Sequence, residues 1–385
     1  MNRDTKCGMG RSVRILSKIS PTAILLRTAA AALLMAAAAS AGADTVTYYE
    51  EGGTGKEASL TGTIDQVTKE GVQVKDRAGI ATTIPANRII ATQYDDEPMA
   101  LRVIRTAIDS SQYEDARAQA KGIPAEELSG AREFVAQDAA YGGAFASAQL
   151  ALSGSREVTL AAAGTELIAF IQRYPESWHF YEANALIGRM LTKMGKFGDA
   201  KKYFETLGAS PWDDMKFAGK IALGNILLDE GDAEGNTEGD AEENAKKKFE
   251  EAKKAFSEVV EAAGDAPESA DQKSFAQIGL ARIMASGGDA PGAQKLFQDL
   301  IEQSNAENAL LQATLYNAIG AVAEAENRNK DAILAYLHVD LLFASARMEH
   351  VEALKHLVAL WKKETRPDRA AEAQSQLQEK YGISE

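Results

Sequence analysis

Alternating apolar and polar positions dominate the chain from Thr45 to Tyr94. Five short stretches carry the alternation: "TVTYY", "SLTGTIDQV", "GVQVK", "IATTIP" and "RIIATQY". Gly71, Asp76 and Gly79 lie between them and are residues typical of turns. A period of two predicts strands with one buried face. Five short strands within about 50 residues favour a small β-barrel, and we assign it to residues 44–97.

After Pro98 the apolar positions follow helical spacing, and one pattern of offsets recurs. In "LIGRMLTKMGKFGDAKKYFETL", Gly188 is followed by Gly195 at +7, Ala200 at +12, Phe204 at +16 and Leu207 at +19. Two further units keep these offsets, namely Ala281, Gly288, Ala293, Phe297 and Leu300, and Gly320, Asn327, Ala332, Tyr336 and Val339. Three matches indicate an internal repeat.

Each repeat predicts a hairpin of two packed helices. The small residue at the start lets the second helix approach the first, and Gly195 or Gly288 at +7 ends the first helix in a left-handed cap. We expect the alanine at +12 to lie where the two backbones are closest. The aromatic residue at +16 is expected to fill the gap to the next hairpin.

Weaker units that begin at Ile104, Leu150, Gly224 and Val358 extend the array to about seven hairpins over residues 99–381. In the unit at Gly224 the second helix is displaced to Ala252, Phe256 and Val259, which predicts an acidic insertion over about 232–248. The mean spacing of about 42 residues exceeds the roughly 34 that is usual for such repeats. Longer helices or longer connections would account for it.

The repeat spacing resembles the tetratricopeptide repeat (TPR) family, in which helical hairpins stack into a superhelix. The strand pattern Leu60, Gly62, Ile64, Gly71, Val72 and Val74 resembles SH3-like and Sm-like barrels, in which a glycine allows a strong bend. The chain as a whole resembles exported bacterial proteins that pair a small barrel with TPR arrays. The resemblance implies a mainly α fold: a TPR-like solenoid preceded by a five-stranded SH3-like β-barrel.

The first 43 residues predict a secretory signal peptide. Six Lys and Arg residues precede or flank an apolar run from Thr28 to Ala39, and "AGA" follows at 41–43. The run has about a dozen residues, whereas roughly 20 are needed to cross a bilayer. We expect cleavage after Ala43, an exported periplasmic or cell-envelope location and no stable membrane span. The only cysteine, Cys7, would be removed with the signal.

Charge and motif content narrow the classes of function. The net charge of −14 becomes about −19 without residues 1–43, which disfavours nucleic acid as a partner. "EEGGTGKEAS" is not a nucleotide-binding loop, because Glu50 occupies the place of its first glycine and Glu57 follows Lys56. His179, His338, His350 and His356 lack metal-ligand spacing. We therefore expect no enzymatic activity, cofactor or metal, and interpret the aromatic "ESWHFYEA" as packing or, alternatively, as a ligand-stacking platform.

The remaining class is binding through the superhelix. By the TPR resemblance, side chains next to or three residues before each small packing residue project into the concave groove, which gives Arg189, Asn225, Arg282 and Asn317 as candidate partner-binding residues. The two arginines could pair with an acidic peptide. We expect a protein-interaction scaffold that binds a peptide or partner protein. The alternative is a cell-wall or glycan-binding module that acts through the β-barrel and uses the repeats as an assembly surface.

Overall fold

We determined the fold from a computed structural model, and residues 43–50, 56–234 and 241–383 are described below. The N-terminal part is an antiparallel sheet of five strands. They are β1 (Asp44–Tyr49), β2 (Glu57–Thr68), β3 (Gly71–Lys75), β4 (Ala81–Pro85) and β5 (Ile89–Gln93). The predicted signal segment before residue 43 and the glycine-rich stretch 51–55 lie outside the described residues.

The five predicted strands are confirmed, but the barrel is open. The strand order is β4-β3-β2-β1-β5, so β4 and β5 are edge strands that, in the described ranges, do not pair with each other. Gly62 and Gly71 lie where strands approach closely, since a Cβ at either would come within 2.3 Å of a backbone oxygen of the next strand. The first helices complete the core instead of a closed sheet: Leu101, Val135 and Ala139 pack with the strand residues.

Helices occupy the rest of the described chain. In order they are α1 (Met99–Asp109), α2 (Tyr113–Gly122), α3 (Ala125–Ser129), α4 (Glu133–Ser153), α5 (Leu160–Arg173), α6 (Phe180–Lys193), α7 (Phe197–Gly208), α8 (Asp213–Glu234), α9 (Ala241–Ala263), α10 (Ala270–Ser286), α11 (Ala290–Gln303), α12 (Ala309–Ala325), α13 (Asn329–Leu342), α14 (Arg347–Lys363) and α15 (Pro367–Tyr381). Apart from the short α3, they form seven consecutive hairpins, numbered 1–7 here. None of these helices is both long and apolar enough to span a bilayer.

The repeat offsets correspond to specific contacts within each hairpin. The residue at +7 has a positive φ in five units: Ser111 (57°), Gly195 (70°), Gly288 (88°), Asn327 (59°) and Thr365 (55°). The left-handed cap is thus confirmed for Gly195 and Gly288, and Ser111, Asn327 and Thr365 end their helices in the same way without being glycine. The aromatic residue at +16 covers the small residue of its own first helix, as Tyr336 covers Gly320. It also reaches the next hairpin, as expected: the ring of Tyr336 stacks on that of His356 on α14, with 4.6 Å between ring centres.

Hairpin 4 is longer than its neighbours because both of its helices continue beyond the usual turn. Gly231 at +7 does not end α8, which runs to Glu234, and the ring of Phe249 on α9 packs on it. Seven residues away on each helix, further from the turn, the ring of Phe256 packs on Gly224. Phe256 also contacts Gly279 of hairpin 5. Much of the predicted insertion is therefore helical, and residues 235–240 lie outside the described ranges.

The last hairpin returns to the beginning of the array. Helix α14 packs against α4, and Met348 joins the hydrophobic cluster of hairpins 1–3. The guanidinium of Arg347 lies 5.3 Å from the ring centre of Tyr113 on α2 and 4.7 Å from that of Tyr381 on α15. Such cation–π contacts are favourable when the cation is shielded from water. The array is thus closed by contacts between hairpin 7 and the first hairpins.

Candidate functional site

The four candidate groove residues lie on four different first helices: Arg189 on α6, Asn225 on α8, Arg282 on α10 and Asn317 on α12. Arg189 is exposed, and the other three are half-buried. They do not contact one another in a single cluster. Arg189, Arg282 and Asn317 instead lie beside the first helix of another hairpin, as the contacts below show.

Polar contacts connect neighbouring first helices at two of these positions. The Arg282 guanidinium lies 3.8 Å from an oxygen of Asp229 and 3.9 Å from one of Asp232, both on α8. The Asn317 side-chain amide donates a hydrogen bond of 2.9 Å to the backbone oxygen of Glu349 on α14. Because Arg282 faces two carboxylates of its own chain, its charge is not available to an acidic peptide without competition.

Arg189 faces acidic residues on two helices. Burial raises the pKa of Glu349 on α14, and the nearby positive charge of Arg189 opposes that rise. Glu182 lies seven residues, almost two turns, earlier on α6; burial would raise its pKa, but His179 lowers it, and Tyr141 and the charge of Arg189 add to this. Lys193, at the end of α6, lies near Lys355 of α14, and burial together with that second cation lowers its pKa. Charged side chains of α6 and α14 therefore lie close to each other.

A second polar cluster, which the sequence did not predict, lies between the sheet and hairpins 1–3. Its centre is Asp138 on α4, whose side chain is 6% exposed. One carboxylate oxygen accepts hydrogen bonds from Thr92 Oγ1 and Tyr94 Oη, and a guanidinium nitrogen of Arg105 lies 3.5 Å from it. The other oxygen lies 3.3 Å from Nε2 of His179. Burial alone would raise the pKa of Asp138, but His179 and Arg105 hold it below its ordinary value.

His179 lies between two aromatic rings in this cluster. Its ring centre is 3.7 Å from that of Tyr141 and 3.6 Å from that of Trp178. The other ring nitrogen, Nδ1, is 3.8 Å from a carboxylate oxygen of Glu182. Burial alone would lower the pKa of His179, whereas Asp138 and Glu182 raise it above its usual value. The interpretation of "ESWHFYEA" as a packing segment therefore applies to His179, which is stacked between two rings. The rings of Tyr141, Trp178 and His179 also line a cavity.

The cavity has a volume of about 270 Å³ and lies between β5, α1, α4 and the start of α6. Ile90, Ile108 and Phe145 form apolar walls, while Asp109, Asp138 and Glu182 contribute carboxylates. The buried Nε1 of Trp178 has no hydrogen-bond partner among the described residues, whereas Asp138 Oδ1 and His179 Nδ1 have the charged neighbours given above. Buried polar groups are normally paired, so this indole donor is suited to a ligand.

Three acidic residues near the start of β1 could also attract a cation. Carboxylate oxygens of Asp44, Asp95 and Asp96 lie within 4.8 Å of one another. Arg132 already binds all three, at 2.6 Å to Asp44, 3.1 Å to Asp95 and 2.6 Å to Asp96. Its guanidinium supplies the positive charge that a metal would otherwise bring, so we interpret this cluster as a structural ion-pair network.

Comparison with known proteins gives only distant structural likeness. No protein-family model and no curated protein matches the chain. A solved structure of the Rap conjugation gene regulator of plasmid pLS20 with the Phr* peptide is similar at 14% identity and a TM-score of 0.44, covering 72% of this chain and 73% of that one. The human IFIT1 dimer with m7Gppp-AAAA is similar at 14% identity and a TM-score of 0.34, covering 72% and 76%. Likeness at this level carries no argument about function, and the TPR-like assignment rests on the seven hairpins themselves.

Proposed function

We propose that the protein is a non-enzymatic scaffold that binds a peptide or partner protein along the first helices of its array. The location that fits the predicted signal segment is the periplasm or cell envelope. Repeat arrays of this kind distribute binding over several units, because each hairpin contributes a few side chains to one continuous surface. Arg189, Asn225, Arg282 and Asn317 are the residues that we assign to that surface.

The observation that carries the proposal is the polar layer on consecutive first helices. Arg282 lies beside Asp229 on the preceding first helix, and Asn317 donates to the backbone of the following one. These side chains are only half-buried, so they retain the capacity to exchange their present contacts for those of a ligand. Exchange of existing polar contacts favours specificity over high affinity.

Affinity capture from envelope extract tests the proposal, with residues 44–385 as bait. The test variant is the double charge reversal Arg189→Glu/Arg282→Glu. The matched control is Arg366→Glu/Arg369→Glu, which changes the charge equally at two arginines that are half-exposed and whose ion pairs, with Asp368 and Glu372, are local. Thermal unfolding of each variant shows whether it is folded.

A partner that is captured by the parent and by the control, but lost from the folded test variant, would support the scaffold. Equal capture by all three proteins would remove the groove assignment. If all three instead sediment with purified cell wall, the alternative of a glycan-binding module would be favoured. Deletion of residues 44–97 is unsuitable for separating the two hypotheses, because the sheet shares its core with α1 and α4.

A further inference from the structure

The cavity beside β5 has an excess of negative charge. Three of its lining residues are carboxylates, Asp109, Asp138 and Glu182, whereas Arg105 and His179 are its basic residues. One negative charge therefore remains even when His179 is protonated. Arg105, Thr92 and Tyr94 contact one oxygen of Asp138 and His179 faces the other, so the surplus lies on Asp109 and Glu182, which are exposed at the outer part of the site. A single cationic group would neutralise it.

The other walls suit an alkyl chain with a polar end. Ile90, Ile108 and Phe145 are apolar; Ile90 is exposed, and the other two are half-buried. Lys and Arg side chains characteristically place their methylene stems on such surfaces and keep the charged end among polar groups. Aromatic rings also attract cations, and Tyr141 and Trp178 both line the cavity. Shape and charge thus point to the same ligand chemistry.

One unpaired buried donor distinguishes a peptide from a free amine as the ligand. Trp178 Nε1 can only donate a hydrogen bond, and it has no partner among the described residues. An alkylammonium ion brings donors alone and would leave this group unpaired. A lysine or arginine residue within a peptide brings its cation together with backbone carbonyl oxygens, which can accept from such a donor.

We propose that this cavity receives a lysine or arginine side chain of the partner peptide, an inference that rests on the proposed function. Glu182 belongs both to the cavity and to α6, where it lies seven residues, almost two full turns, before Arg189. Residues seven apart share a helix face. The basic side chain would therefore anchor the peptide at one end of the surface assigned above, and the acidic net charge of the protein favours approach of such a partner.

Calorimetric titration with three probes tests the anchor, using residues 44–385 as the protein. The probes are the tripeptide acetyl-glycyl-lysyl-glycine amide, the same peptide with norleucine in place of lysine, and n-butylamine. We expect the lysine peptide to bind at least about tenfold more tightly than either of the others. Equal binding of the norleucine peptide, or no binding of the lysine peptide at millimolar concentration, would overturn the inference. Butylamine that binds as tightly as the lysine peptide would replace the partner residue with a small amine as the ligand.

Two variants place the binding at this cavity. Glu182→Gln and Asp109→Asn each remove one carboxylate without changing shape, and either should weaken binding of the lysine peptide by about tenfold. Glu205→Gln is the matched control, because Glu205 is exposed on α7 outside the cavity lining. Undiminished binding in both folded cavity variants would contradict the assignment.

The same variants separate this inference from the proposed function. If Glu182→Gln captures the partner from envelope extract as well as the parent does, while Arg189→Glu/Arg282→Glu captures none, the scaffold stands and the anchor fails. If no bait captures a partner but the lysine peptide still binds in a Glu182-dependent manner, the cavity site stands and the scaffold fails.

Discussion

The ring of Phe204 covers Gly188, sixteen residues earlier in the same hairpin: a Cβ at Gly188 would lie 2.6 Å from the Cζ atom of Phe204. Tyr336 covers Gly320 and Phe256 covers Gly224 in the same way, each with a closest distance of 2.7 Å. The glycine therefore accommodates a ring rather than a helix backbone. This contact explains why the offset of +16 is kept by aromatic residues.

Gly188→Ala should destabilise the protein. The added methyl group overlaps the Phe204 ring, and overpacking of this kind typically costs about 1–3 kcal/mol in the free energy of unfolding. Gly198→Ala in α7 is the control, since nothing lies within 4 Å of a Cβ at that position. It should leave stability unchanged or raise it by up to about 1 kcal/mol, because alanine favours helix. Urea unfolding measures both, and a Gly188→Ala variant as stable as the control would refute the ring contact.

Thr365→Gly should stabilise hairpin 7. Thr365 ends α14 with φ of 55°, and a left-handed conformation costs a non-glycine residue roughly 1–2 kcal/mol. Glycine removes that cost but gains entropy in the unfolded chain, so we expect a net increase of up to about 1 kcal/mol in unfolding free energy. Thr314→Gly, inside α12, should instead lower it by about 0.5 kcal/mol, since glycine favours helix less than threonine does. Thermal unfolding should therefore shift in opposite directions for the two variants.

Arg132→Gln should destabilise the sheet end of the molecule. The Asp44 side chain is 2% exposed and binds Arg132 through both carboxylate oxygens, at 2.6 and 2.7 Å. Removal of one partner leaves a buried charge uncompensated, which costs about 3–5 kcal/mol for fully buried pairs; we expect about 2–3 kcal/mol here because Arg132 is partly exposed. Arg369→Gln, at an exposed arginine, should change stability by less than about 0.5 kcal/mol. Similar unfolding free energies for the two variants would contradict a stabilising role of this ion pair.

The same pair predicts acid sensitivity. Burial of Asp44 opposes its ionisation, but hydrogen bonds from Arg132 and from the backbone of Ile64 and Asp95 outweigh burial and lower its pKa. A carboxyl group with a lowered pKa stabilises the fold above its unfolded pKa of about 3.9, and this contribution is lost as the pH falls through the folded value. As the pH is lowered from about 5 through the folded pKa of Asp44, the unfolding free energy should therefore fall less steeply for Arg132→Gln than for the parent.

His179 should titrate above its ordinary pKa. Burial would lower the pKa, yet Asp138 and Glu182 raise it, and Arg105 and Asp109 are further charged groups at the same cavity. The stability that it contributes is therefore complete below about pH 6.5 and is lost as the pH rises through the raised folded pKa. Histidine NMR titration, assigned with His179→Asn, measures this directly. A pKa below about 6.5 for His179 would show that burial outweighs the carboxylates.

The hairpins were predictable because their determinants are local. Gly188, Gly195 and Phe204 lie within 17 residues of one another, and the same spacing recurs along the chain. The five strands followed from alternation for the same reason. The open edge of the sheet was not predictable, because it depends on Leu101, Val135 and Ala139, which belong to helices and replace strand-to-strand closure of the core.

The cavity lacked a sequence signal because its residues come from separate parts of the chain. Thr92, Arg105, Asp138 and His179 lie on β5, α1, α4 and the segment before α6, and none forms a spaced motif with another. Their proximity follows from packing of the sheet on hairpins 1–3. The aromatic stretch around Trp178 was the one local feature of the sequence that belongs to the cavity. Its histidine, His179, lies beside the carboxylates of Asp138 and Glu182.

Contacts of hairpin 7 with hairpins 1–3 change how the array should respond to loss of a part. In an open solenoid each unit depends on its immediate neighbours, so a unit lost from one end leaves the other end intact. Here Arg347 and Met348 contribute to the packing of α2 and its neighbours. A substitution that destabilises the C-terminal hairpin should therefore also destabilise α2, more than 200 residues away along the chain. The array should unfold as one cooperative unit instead of fraying from its ends.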